Sequence, residues 1–161
     1  MTKKALYLSE QASKSYEQQL SRYTIAVAFL GTPHRGADLA SFATGIANIL
    51  KTAGKRVNRD ILALLQRNSE SLAEVDESFD IWLQKYSNRF NLSCFYEELE
   101  LPGVGMVVTK DSAKKNPYPS YPIPANHMDM TKFSNREETG YRRILGELSR
   151  WINEMVPLEN G

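Results

Sequence analysis

Apolar and polar positions alternate along this chain in two rhythms, and the order of those rhythms predicts a fold class. From Lys3 to Tyr23, apolar or small residues at Ala5, Leu6, Leu8, Ala12, Tyr16 and Leu20 recur mostly at three- and four-residue intervals, the signature of an amphipathic helix. Thr24 to Leu30 is a short, nearly continuous apolar run, as expected of a parallel strand covered on both faces, and Gly31-Thr32-Pro33-His34-Arg35-Gly36 ends it. Asp38 is placed to cap a second helix, in which Leu39, Phe42, Ala43, Ile46, Ala47 and Leu50 form a stripe that stops near Gly54. Asn58 and Ser69 are candidate caps for two further helices, one with Ile61, Leu62, Leu64 and Leu65, the other with Leu72, Val75, Phe79, Trp82, Leu83 and Tyr86. A second strand is predicted over Phe90 to Tyr96. A third is predicted over Met106 to Thr109, after the turn Pro102-Gly103-Val104-Gly105. The last helix should run from about Glu137 to Met155, with Tyr141, Ile144, Leu145, Leu148, Trp151, Ile152 and Met155 on one face.

Strands separated by helices point to an α/β fold, here about three mainly parallel strands flanked by helices. Lys110 to Asn126 contains Pro117, Pro119, Pro122 and Pro124 with little periodicity, so it reads as a loop, and a loop of that length in a compact domain is commonly functional. The 161 residues, 42% of them apolar, fit one domain with a single core. A net charge of +1 supplies no long-range field for a polyanion, so nucleic acid is not an expected partner. No apolar run approaches bilayer length and the first residues lack the pattern of a secretory signal, which makes the cytoplasm the simplest address. The single cysteine, Cys94, lies among Leu92, Phe95 and Tyr96, a strand setting rather than that of an activated thiol.

In open parallel sheets, reactive groups gather in loops beyond the carboxyl ends of the strands. Such loops here hold Thr32, His34 and Arg35, then Glu97 and Glu98, then His127. A carboxylate followed downstream by a histidine is the acid-then-base order of a serine-hydrolase triad on an α/β sheet, in which the serine comes first. His34 and Arg35 could line the cleft or bind a carboxylate or phosphate, or could instead belong to a tight turn shaped by Gly31, Pro33 and Gly36. Neither histidine has partners at metal-ligand spacing, so no metal site is expected. Ser112 lacks the flanking glycines of a strained nucleophile turn and reads as a loop residue.

Four blocks carry a more specific message: AFLGTPHRGADLA, CFYEELELPGVGMVVTKDSA, NHMDMTKFS and GYRRILGELSRWI. In this order they resemble the lipase and serine-esterase domains of the α/β-hydrolase superfamily, most closely the kind found at the N-terminus of fungal NACHT and ankyrin-repeat proteins of the innate-immunity receptor type. The resemblance covers nearly the whole chain. It implies that His127 is the catalytic base and Glu97 the acid, with Glu98 the alternative, and that no cofactor is needed. One departure matters, because these domains carry a Gly-x-Ser-x-Gly turn just before the helix that here reads KKALYLSEQA, and this sequence has none. The expectation is therefore the C-terminal half of an α/β-hydrolase domain spanning 1–161, lacking the first strands and the nucleophile and inactive alone. An ester or lipid substrate would belong to the full-length parent, and a separate N-terminal half or NACHT and repeat domains are the expected partners. The rival expectation is a non-enzymatic interaction or regulatory module derived from such a hydrolase.

Overall fold

The structure, a computed structural model, describes residues 2–34, 39–52, 69–87 and 89–155. Along the chain it contains α1 (Thr2–Gln11), α2 (Gln19–Tyr23), β1 (Ala26–Leu30), α3 (Leu39–Thr52), α4 (Ser69–Tyr86), β2 (Asn91–Glu97), α5 (Lys110–Ala113), β3 (Ser120–Ile123) and α6 (Thr139–Met155). The strands form one open, three-stranded parallel sheet in the order β1-β2-β3, flanked by helices, so the fold class is α/β. The helix expected from Asn58 and the caps and turn residues Arg35 to Asp38 lie outside the described residues.

Strand alternation sorts the core. Phe29 of β1 and Leu92 and Cys94 of β2 pack with Leu6 of α1 and Phe79, Trp82 and Leu83 of α4 on one face. Phe95 of β2 and Ile123 of β3 meet Met130 and Ile144 of α6 on the other. Near the carboxyl end of β2, Tyr96 packs with Val107 and Val108 and with Phe42, Ile46 and Ile49 of α3.

The helix expected from Lys3 to Tyr23 is two helices. Ser9 breaks it, since its hydroxyl donates to the Glu17 carbonyl at 2.6 Å and accepts from the Ser21 amide at 3.1 Å, replacing backbone helix bonds with side-chain ones. Ser21 in turn accepts the Trp82 indole N–H at 3.0 Å, which fixes α2 against α4. Tyr16 and Leu20, placed on the buried stripe by periodicity, are exposed.

The expected third strand at Met106 to Thr109 is a loop in which Val107 and Val108 are buried, and the third strand is β3, inside the proline-rich segment expected to be irregular. Pro122 is tolerated because β3 is an edge strand. Pro119 and Ile123, at the two ends of β3, accept from the amides of Cys94 and Glu98, so the backbone of Pro122, on the opposite alternation, faces outward, where Arg143 donates to its carbonyl at 2.6 Å. The stripe expected on α6 also divides: Trp151 and Glu147 are buried, while Leu145, Leu148 and Ile152 are exposed. Glu147 is buried because Ser93, Tyr121 and Arg150 all donate to its carboxylate. Among the described residues no helix is long and apolar enough to cross a membrane.

Candidate active site

Glu97 is the last residue of β2, and its side chain is 1% exposed. Alternation along β2 points it into the protein while Glu98, one residue on, is in solvent with its amide bonded to the carbonyls of Ile123 and Ala125. The two Glu97 carboxylate oxygens have different tasks. Oε1 accepts the backbone N–H of Val108 at 2.7 Å. Oε2 lies 3.1 Å from Nδ1 of His127. That separation is of hydrogen-bond length, but the ring N–H is not aimed straight at the oxygen, and neither buried atom has another partner. The two groups thus face each other at contact distance without a formed hydrogen bond.

His127 follows β3 on a turn built by Asn126. The Asn126 carboxamide oxygen accepts from the amides of Met128 at 3.0 Å and Asp129 at 3.2 Å, and its carbonyl accepts from Met130 at 2.9 Å. Met130 then plugs the core beneath the ring. The imidazole is 18% exposed with Nδ1 closed off, so its accessible edge is the one away from Glu97. Phe42 of α3 stands edge-on to it at 6.1 Å between centroids. Gly31, at the end of β1, makes room for the ring: its φ is +56°, and its amide continues the sheet by donating to Phe95 at 2.8 Å. A Cβ at this position would stand 2.8 Å from Met130 Sδ and 2.9 Å from His127 Cε1.

The other sequence candidates go elsewhere. Thr32 is half-buried and its hydroxyl donates to the Leu30 carbonyl at 3.4 Å, a local turn contact. His34 is buried on the α1 and α4 face, edge-on to Phe29 at 4.7 Å and 3.5 Å from Cys94 Sγ through Nε2, with its amide donating to the Ser112 carbonyl. Burial, then the charges of Lys3 and Lys115, hold its pKa down at about 3, so the ring is neutral. Arg35 lies outside the described residues. Ser112 is buried in α5, with its hydroxyl unpartnered and its carbonyl on the His34 amide. No group of three potential metal ligands occurs among the described residues.

Sequence reasoning did not single out Val108, Met130 or Asn126. The Asn-x-x-Asp spacing of Asn126 and Asp129 is a turn signal that would have flagged the last of these. The other two depend on contacts between distant segments.

Chemically, a carboxylate on one imidazole nitrogen orients the ring and stabilises its protonated form, leaving the other nitrogen to accept a proton. Here Glu97 stands on the Nδ1 side of His127, which leaves the opposite edge of the ring as the accessible one. No family model matches the chain, and comparisons with curated proteins and with solved structures return no match either.

Proposed function

We propose that Glu97 and His127 are the acid and base of a serine-esterase or lipase-like triad of α/β-hydrolase type, and that the nucleophile comes from polypeptide other than these 161 residues. The observation that carries this reading is the approach of Glu97 Oε2 to His127 Nδ1 at 3.1 Å, one at the carboxyl end of β2 and the other in the loop after the adjacent parallel strand β3. The residue order and the position of both groups at the carboxyl edge of the sheet agree with it. In this reading Glu97 holds the His127 ring, His127 takes the proton of a serine hydroxyl and returns it to the leaving alcohol, and an acyl ester is split through an acyl-enzyme. The chain alone is then inactive, since removing a triad nucleophile costs about a millionfold in turnover.

A second reading is favoured by the absence of any Gly-x-Ser-x-Gly from the sequence: the acid and base are retained as structure in a non-enzymatic module. Expression of the complete open reading frame of the transcript separates the two. Under the first reading the product contains a Gly-x-Ser-x-Gly turn and hydrolyses p-nitrophenyl esters in a manner abolished by His127→Ala and by Glu97→Ala. A product without that turn and without His127-dependent turnover would leave the second.

A further inference from the structure

The ring of His127 is placed by the main chain that carries it rather than by a hydrogen bond of its own. Nδ1 faces Glu97 Oε2 at 3.1 Å without a formed bond, and both atoms are buried. Phe42 and Gly31 bound the ring but have no polar side-chain atom to fix either nitrogen. A side chain held in this way is only as precise as the turn that supports it.

That turn is tied together by one side chain. Oδ1 of Asn126 accepts the amides of Met128 and Asp129, the two residues after His127, at 3.0 and 3.2 Å. The Asn126 carbonyl accepts the amides of Asp129 and Met130 at 3.1 and 2.9 Å, which closes the chain around the histidine. Met130, brought round by the turn, is 1% exposed and lies in the cluster of Phe95 and Ile123.

The carboxamide works in one orientation only, because a turned group would set its own N–H donors against two amide donors. Asp129 selects the working one. Its Oδ2 accepts from Asn126 Nδ2 at 2.9 Å, and its Oδ1 accepts from Lys132 Nζ at 3.0 Å. Lys132 and then Asn126 hold the Asp129 pKa below its ordinary value, so at neutral pH this group is an anion that accepts and does not donate. The nitrogen of Asn126 must therefore face outward to Asp129 and its oxygen inward to the turn.

We propose that Asn126, keyed by Asp129, is a positioning residue for His127: it holds the turn so that the ring stands against Gly31 with Nδ1 towards Glu97. The proposal rests on the acid and base reading for its purpose but not for its geometry. The test is NMR of the 161-residue chain with two readouts. A nuclear Overhauser contact between the Cε1 proton of His127 and the α-protons of Gly31 reports where the ring stands, without involving Glu97. The exchange rate of a proton on Nδ1 reports the approach to Glu97. Asn126→Ala is expected to lose the contact and to speed exchange about tenfold, with the His34 signals unmoved. Asn126→Asp keeps an oxygen for both amides and is expected to retain the contact. Asp129→Ala, a change in solvent, is expected to weaken the contact and serves if Asn126→Ala does not fold. A contact that survives Asn126→Ala, or Asp129→Ala where that variant is used instead, overturns the proposal, as does equal loss in Asn126→Ala and Asn126→Asp. Nδ1 exchange that is the same in Glu97→Ala, with the Gly31 contact responding as expected, sinks the acid and base reading and leaves the positioning role in place.

Discussion

The ring of His127 lies against the α-carbon of Gly31, so closely that a methyl group there would stand 2.9 Å from Cε1. Gly31 also holds a φ of +56°, a conformation that residues with a side chain rarely adopt. Gly31→Ala should therefore combine backbone strain with displacement of the ring, destabilising the chain by about 1–3 kcal/mol in urea denaturation. Its NMR spectrum should show the His127 and Met130 signals shifted while those of His34 stay in place.

Glu97 is predicted to matter for stability as well as for chemistry. Glu97→Ala removes the acceptor of the buried Val108 amide and should cost about 1–3 kcal/mol. Glu97→Gln keeps an oxygen for that amide and should cost less than Glu97→Ala. Glu98→Ala, in solvent, should stay within about 0.5 kcal/mol of the parent. Equal losses for the alanine variants at 97 and 98 would contradict the division of roles between the two glutamates.

How far the sequence led depended on the range of the cause. β1 and β2 were legible because both are nearly continuous apolar runs, Val27 to Leu30 and Leu92 to Tyr96, although β2 is buried along almost its whole length and β1 is mostly half-buried. β3 was hidden because its register leaves Pro122 pointing outward, a fact about the neighbouring strand rather than about the segment Ser120 to Ile123. Val107 and Val108 imitated a strand because they fill the space between Tyr96 and α3. Of the candidate site, the residue types and their order were visible, and so was the ambiguity between Glu97 and Glu98. Which glutamate turns inward required the end point of β2, and the close approach of Gly31 to His127 required the tertiary structure.

Acid sensitivity should come in part from His34. The folded chain holds this ring neutral down to about pH 3, whereas an unfolded histidine takes its proton near 6.5. Between those values the unfolded state binds more protons, so stability falls as pH falls, by up to about 1.4 kcal/mol per pH unit. The Glu147 carboxylate acts in the same direction. Burial alone would raise its pKa, but hydrogen bonds from Arg150, Ser93 and Tyr121 outweigh that and lower it. The stabilisation is present above the ordinary glutamate value and is lost as pH falls through the lowered one. Denaturation midpoints measured from pH 7 to 4 should drop less steeply for His34→Gln than for the parent, and a parallel pair of curves would contradict this assignment.

The two apolar stripes of α6 should respond oppositely to substitution. Trp151 is 4% exposed, and Trp151→Ala should cost about 3–5 kcal/mol. Leu148 is 41% exposed, and Leu148→Glu should change stability by about 0.5 kcal/mol or less. Thermal unfolding of the two variants side by side checks the orientation of the helix.

Heteronuclear NMR of the His127 ring, which reads the nitrogen that carries the proton, bears most directly on the idea of a carboxylate-oriented base. The account predicts a proton on Nδ1, protected from exchange by Glu97, with Nε2 bare, and a loss of that preference in Glu97→Ala. A ring protonated at Nε2, or one whose tautomer is the same with and without the Glu97 carboxylate, would contradict it.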